Sequence, residues 1–142
     1  MTKEQIALSR RAVASGRWQW APGALDQFGR RVINVWPDDL GIKWSHLLDN
    51  RVVRDADALP DLSDPATLGC LLALVRKAWR CPTVYVRQSS TVGYGILAWE
   101  VCDLYLDAEA CRALGVPREG SVGSWGHGSE AEALVAALEG AP

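Results

Sequence analysis

The chain has 142 residues, 49% of them hydrophobic and 23% charged, with a formal net charge of −2. That length holds one core of ordinary size and not two comfortable ones, so a single domain over 1–142 is expected. The longest apolar run, 68–75, falls far short of the ~20 residues a bilayer span needs, and the weakly acidic balance argues against bulk attraction to nucleic acid.

Thr2 to Ser15 reads as a helix. Thr2 and Gln5 have the spacing of a capping box, Ile6, Ala7, Arg10 and Val13 supply a stripe, and Gly16 supplies the stop. Arg17-Trp18-Gln19-Trp20 alternates like a short strand and is ended by Pro22-Gly23. Further strands are expected at 31–36 and, more weakly, at 51–54, with 42–44 either a strand or a loop anchored by Trp44.

Ser63-Asp64-Pro65-Ala66-Thr67 is the strongest local signal in the chain. Asp64 suits an N-cap, and Pro65 suits the first helical position because its missing N–H would have no partner there. Leu68, Leu71, Leu72, Val75 and Trp79 then follow at helical spacing, and Pro82 closes the element. Strands are expected at 83–87 and within 94–106, joined by a polar turn over 88–93, with one or two helical turns over 107–114. Residues 115–128 hold five glycines and one proline, which predicts an exposed, mobile loop. A last helix starts at Ser129, where Glu132 completes a second capping box, and carries Ala131, Leu134, Val135 and Leu138 as its stripe.

The order helix, strands, helix, strands, helix predicts an α+β fold: a small antiparallel sheet with two or three packed helices. Its expected core is Leu68, Leu71, Leu72, Val75, Trp79, Ile96, Trp99, Leu134 and Leu138.

Residues 59–79, 128–138 and the segment Trp18-Gln19-Trp20-Ala21-Pro22-Gly23 resemble a group of small phage and prophage proteins, and the layout is loosely similar to the phage ABA-sandwich domain. The matched pieces cover about a third of the chain. The resemblance implies a viral accessory protein with helices on both sides of a sheet, and it carries over no catalytic residue.

The chemistry-bearing residues are sparse. Cys70, Cys81, Cys102 and Cys111 stand no closer than nine positions apart, and His46 and His127 are isolated, so no metal and no cofactor is expected. The glycine-rich stretch before Ser129 lacks the lysine of a phosphate-binding loop and reads as a connector. Residues 1–56 carry nine basic against six acidic side chains, and Arg10, Arg11, Arg17, Arg30 and Arg31 form either a patch or an ordinary solvated surface.

Seven tryptophans are the compositional anomaly. Most are expected in the core, since each buries ~150–250 Å². Trp18 and Trp20 share a face if 17–20 is a strand, and Arg17 lies beside them; Trp125 sits in the glycine-rich stretch, as loop anchor or as partner contact. The expected binding residues are therefore Arg17, Trp18, Trp20 and Trp125. Joined to the phage resemblance, these features suggest a non-enzymatic binding protein in the host bacterial cytoplasm. Its partner would be a host protein or protein complex, with inhibition of a defence complex (the anti-CRISPR type among them) as the leading case and no membrane association. The alternatives are a nucleotide-binding sponge, formed by homo-oligomers with arginine and tryptophan around the ligand, and a small enzyme using His127 or a cysteine.

Overall fold

The structure, a computed structural model, describes residues 1–35, 42–45, 52–53, 58–90, 97–102 and 124–142. The elements in chain order are α1 (Lys3–Ala14), β1 (Arg31–Val35), β2 (Ile42–Ser45), β3 (Val52–Val53), α2 (Pro65–Ala78), β4 (Tyr85–Ser90), β5 (Leu97–Cys102), β6 (Ser124–His127) and α3 (Glu130–Glu139). This is an α+β protein with antiparallel pairing, and the described strands divide into two three-stranded sheets, β1-β2-β3 and β4-β5-β6. Two compact units follow the same division, Met1–Leu71 and Leu72–Pro142, with the boundary inside α2.

In the first unit, α1 opens with the capping box. Gln5 N–H donates to Thr2 Oγ1 at 3.2 Å, and Thr2 N–H donates to Gln5 Oε1 at 2.6 Å. At its other end Ser15 Oγ donates to the Ala12 carbonyl at 2.6 Å and accepts from Arg17 N–H at 3.1 Å, so one hydroxyl relays between chain and helix end. The buried face of α1 differs from the expected stripe. Ser9 and Ala12 are fully buried, whereas Ala7 and Arg10 are exposed and Val13 is 38% exposed. The cause is a polar contact: Ser9 Oγ lies 2.6 Å from the Pro60 carbonyl and 2.9 Å from that of Gln5, so a hydroxyl points inward.

Pro22-Gly23 forms a turn closed by Ala24 N–H donating to the Ala21 carbonyl at 3.1 Å, with Gly23 at φ +97°, as a type II turn requires. The chain then doubles back. Gly23 N–H donates to the Val32 carbonyl at 2.9 Å, Val32 N–H donates to the Ala24 carbonyl at 2.8 Å, and Leu25 bridges Arg31. A small core of Ala24, Val32 and Ala58 forms beneath, with Trp20, Val35 and Cys70 packed on it. β1 pairs with β2 through an irregular register between Val32 and Asn34, and β2 pairs with β3.

α2 begins as its sequence predicts. Thr67 N–H and Thr67 Oγ1 both donate to Asp64 Oδ2 at 2.8 Å. Of its expected core face, Leu71 and Val75 are fully buried while Leu68, Leu72 and Trp79 are half-buried. The helix ends in a Schellman motif: Cys81 N–H bonds the Arg76 carbonyl at 3.0 Å and Arg80 N–H bonds that of Lys77 at 3.2 Å. Arg80 occupies the left-handed position at φ 52°.

In the second unit, β4 and β5 pair in unbroken register from Tyr85↔Cys102 to Ser90↔Leu97. β6 adds to β5 through Trp99↔His127 and Val101↔Ser124. This corrects the reading of 115–128 as one loop, because its residues 124–127 are a strand. The edge of β5 offers ladder partners that local composition does not reveal. α3 packs against all three strands and buries Ala131, Ala133, Leu134, Val135, Ala137 and Leu138. Trp79 Nε1–H donates to the Ala137 carbonyl at 2.8 Å. The expected core residue Ile96, the helical turns at 107–114 and the stretch 115–123 lie outside the described residues.

Candidate functional site

Arg17-Trp18-Gln19-Trp20 follows α1 outside any helix or strand, which corrects the strand expected there. Its start is held by the Ser15 hydroxyl instead of a ladder. Trp18 and Trp20 meet all the same, with ring centroids 5.5 Å apart and planes at 86°. That edge-to-face arrangement is one the aromatic quadrupoles favour. Both rings are half-buried, as is Arg17. Trp20 leans on the Ala24, Val32 and Ala58 core, and the buried Trp18 Nε1–H has no hydrogen-bond acceptor among the described residues. The pair offers ring edges for stacking or apolar contact; indole and guanidinium groups supply no nucleophile. Trp125, the fourth expected binding residue, belongs to the second unit and lies within β6.

A second feature is the turn from Asp26 to Arg30. Gly29 N–H donates to the Asp26 carbonyl at 3.0 Å, Asp26 N–H donates to that of Arg30 at 2.9 Å, and Gly29 has φ +76°. This is a three-residue hairpin loop built on a type I turn with glycine in the left-handed position. Asp26 is fully buried, and its Oδ1 accepts from Phe28 N–H at 3.0 Å and Arg30 N–H at 2.8 Å. Its Oδ2 holds the Arg30 guanidinium, with Nε and Nη2 both at 2.6 Å. Gln27 ties the turn to Leu59, donating from its N–H at 2.9 Å and accepting the Leu59 N–H at its Oε1. Phe28 stands at the tip, 66% exposed, with the Arg30 guanidinium 5.0 Å from its ring centre. None of these residues is prominent by composition, but Asp followed three positions later by Gly is the signal of a type I turn.

Arg31 neighbours this turn and pairs with Asp64, Nη2 to Oδ1 at 3.0 Å. Hydrogen bonds from Arg31 hold the Asp64 carboxyl below its ordinary value, and Asp64 raises Arg31 in return. Within the expected basic patch, Arg30 and Arg31 are thus held in ion pairs, with Asp26 and Asp64. Burial pushes the Cys70 thiol up, with the nearby Asp64 charge adding to it, so Cys70 keeps its proton at neutral pH and is a poor nucleophile.

The start of α3 is occupied by its own acids. Ser129 Oγ accepts from Glu132 N–H at 3.2 Å, while Glu132 Oε2 accepts from Gly128 N–H at 2.9 Å, one residue ahead of the capping-box donor. With Glu130 and Glu132 in the first turn, this helix end repels a phosphate instead of holding one. His127 is half-buried at the end of β6, across from Trp99. Among the described residues no three His, Cys, Asp or Glu side chains stand together as a metal site would need.

Comparison with protein-family models, with curated proteins and with solved structures finds no match to this chain. Among the described residues no helix is long and apolar enough to cross a membrane.

Proposed function

We propose that the chain is a non-enzymatic binding protein of phage origin that acts in the host bacterial cytoplasm and blocks a host protein or complex, a defence complex such as a CRISPR effector being the leading case. The observation that carries the binding role is the Trp18–Trp20 pair, two perpendicular rings left half-exposed on irregular chain directly after Arg17. Aromatic and arginine side chains of this kind commonly dominate interface energies once desolvated. The phage context rests on the sequence resemblance, and Trp125 is proposed as a further contact.

The test is the double variant Trp18→Ala with Trp20→Ala, read by thermal melting and by affinity capture from bacterial lysate. A binding platform loses its captured partner while the variant still melts cooperatively as a folded chain, at a temperature lowered by the lost ring packing. Unfolding of the variant makes the two rings core residues and removes them from the site. Nucleotide released from the denatured wild-type protein would favour the sponge reading instead.

A further inference from the structure

We propose that the Asp26–Arg30 turn is an interaction tip, presenting Phe28 as a fixed aromatic anchor for a concave apolar pocket on a protein partner. The inference stands on a different feature from the tryptophan pair and rests on the reading of this chain as a binding protein.

The turn is wired with unusual completeness. The five consecutive N–H groups from Asp26 to Arg30 all donate: to the Arg30 carbonyl, the Leu59 carbonyl, Asp26 Oδ1, the Asp26 carbonyl and Asp26 Oδ1 again. Asp26, which organises them, is 0% exposed, so the turn cannot open without stranding a buried carboxylate. Stability does not explain the residue at the tip. The third position of such a turn favours small polar side chains, and a ring 66% exposed gains little from folding beyond its contact with Arg30. An exposed phenyl group on a backbone that is already rigid loses little further freedom on docking.

The chemistry of the tip selects the class of partner. Arg30 stacks on Phe28, yet its charge is cancelled by Asp26 at 2.6 Å, so the tip is locally neutral. The backbone donors are all engaged within the protein, so a phosphate finds no cradle there. A nucleic acid or an anionic membrane would be met by neither free N–H groups nor a surplus of cations. What is left to recognise is one ring with a guanidinium behind it, and an apolar protein pocket matches that shape.

The experiment places the photo-crosslinking residue p-benzoylphenylalanine at position 28, and separately at position 13 as an exposed control, in the full chain. Each protein is irradiated in lysate of the bacterium that naturally makes the chain. The expected result is one discrete protein adduct from position 28 and not from position 13. Unlabelled wild-type protein should halve its yield at a concentration at least about tenfold below that needed of Phe28→Ala, the loss expected for an interface hot spot. Phe28→Ala should melt within a few degrees of wild type, which keeps lost folding apart from lost binding. Equal competition by the two proteins, the same adduct from both positions, no adduct, or adducts only with lipid, nucleic acid or a second copy of the chain would overturn the proposal. Absence of the position-28 adduct from a protein that still captures its partner through the tryptophan pair overturns the tip and leaves the binding role standing.

Discussion

Arg31 on β1 and Asp64 at the start of α2, 33 positions apart in sequence, are joined by two guanidinium-to-carboxylate contacts, Nη2 to Oδ1 at 3.0 Å and Nη1 to Oδ2 at 3.3 Å. The same carboxylate takes the Thr67 N–H and hydroxyl, and Thr67 Oγ1 in turn accepts Leu25 N–H at 2.7 Å. One acid therefore caps a helix, pairs a strand and, through a hydroxyl, anchors the chain leading to the Phe28 turn.

Asp64→Ala should cost about 1–2 kcal/mol by urea titration, mostly through the lost cap. Asp64→Asn keeps an acceptor oxygen for Thr67 and should cost about 0.5 kcal/mol, because Arg31 is 42% exposed and solvent screens the pair. The pH dependence follows from the lowered carboxyl. In the unfolded chain Asp64 takes up its proton first as pH falls, so its contribution is complete above about pH 5 and is lost as pH drops through the lower native value. A pH series from 7 to 2 should show a shallower acid loss in Asp64→Asn than in wild type.

Ser9→Ala should cost about 1–3 kcal/mol, because it leaves the Pro60 carbonyl buried without its 2.6 Å partner. The measurement is the chemical-denaturation midpoint. A neutral result would mean that Pro60 finds another donor and that the α1 face is set by Ala12 alone.

These contacts mark where sequence reading succeeds and where it stops. The capping box of Thr2 and Gln5 and the Asp64-Pro65 start were legible because cap chemistry is local, settled within four residues. The buried face of α1 was not: counting apolar positions selects Ile6, Ala7 and Val13, while Ser9 turns inward to an acceptor 51 positions away. β6 was hidden for the same reason, since its glycine-containing segment is extended by pairing with β5. At the candidate site the proximity of Trp18 and Trp20 was legible from their spacing, but the strand that was to align them is absent. The Asp26 turn carried its Asp-to-Gly signal openly; only the structure places Phe28 outward.

Arg80→Gly should raise stability by about 0.5–1 kcal/mol. Arg80 holds the left-handed position of a Schellman motif at φ 52°, where a Cβ is strained and glycine is not. The gain is smaller than the full strain because glycine also loosens the unfolded chain. The urea midpoint of the variant checks it, and Arg80→Ala, which keeps the Cβ, should show no such gain.

Trp18→Phe tests the unpaired indole most directly. Wild type keeps the Trp18 Nε1–H buried without an acceptor among the described residues, a group whose desolvation costs about 1–3 kcal/mol. Phenylalanine removes that donor and retains a ring to pack edge-to-face with Trp20, but gives up the apolar area of the larger indole, worth a similar amount. The two effects oppose, so Trp18→Phe should lie within about 1 kcal/mol of wild type, whereas Trp18→Ala, which removes the ring contact as well, should cost about 2–4 kcal/mol. If Trp18→Phe is as damaging as Trp18→Ala, the N–H does have an acceptor in solution. Partner capture by the same variant then separates two modes of contact. Retained capture assigns the contact to the ring face or edge, while loss of capture with unchanged stability assigns it to the indole N–H, released from burial to meet an acceptor on the partner.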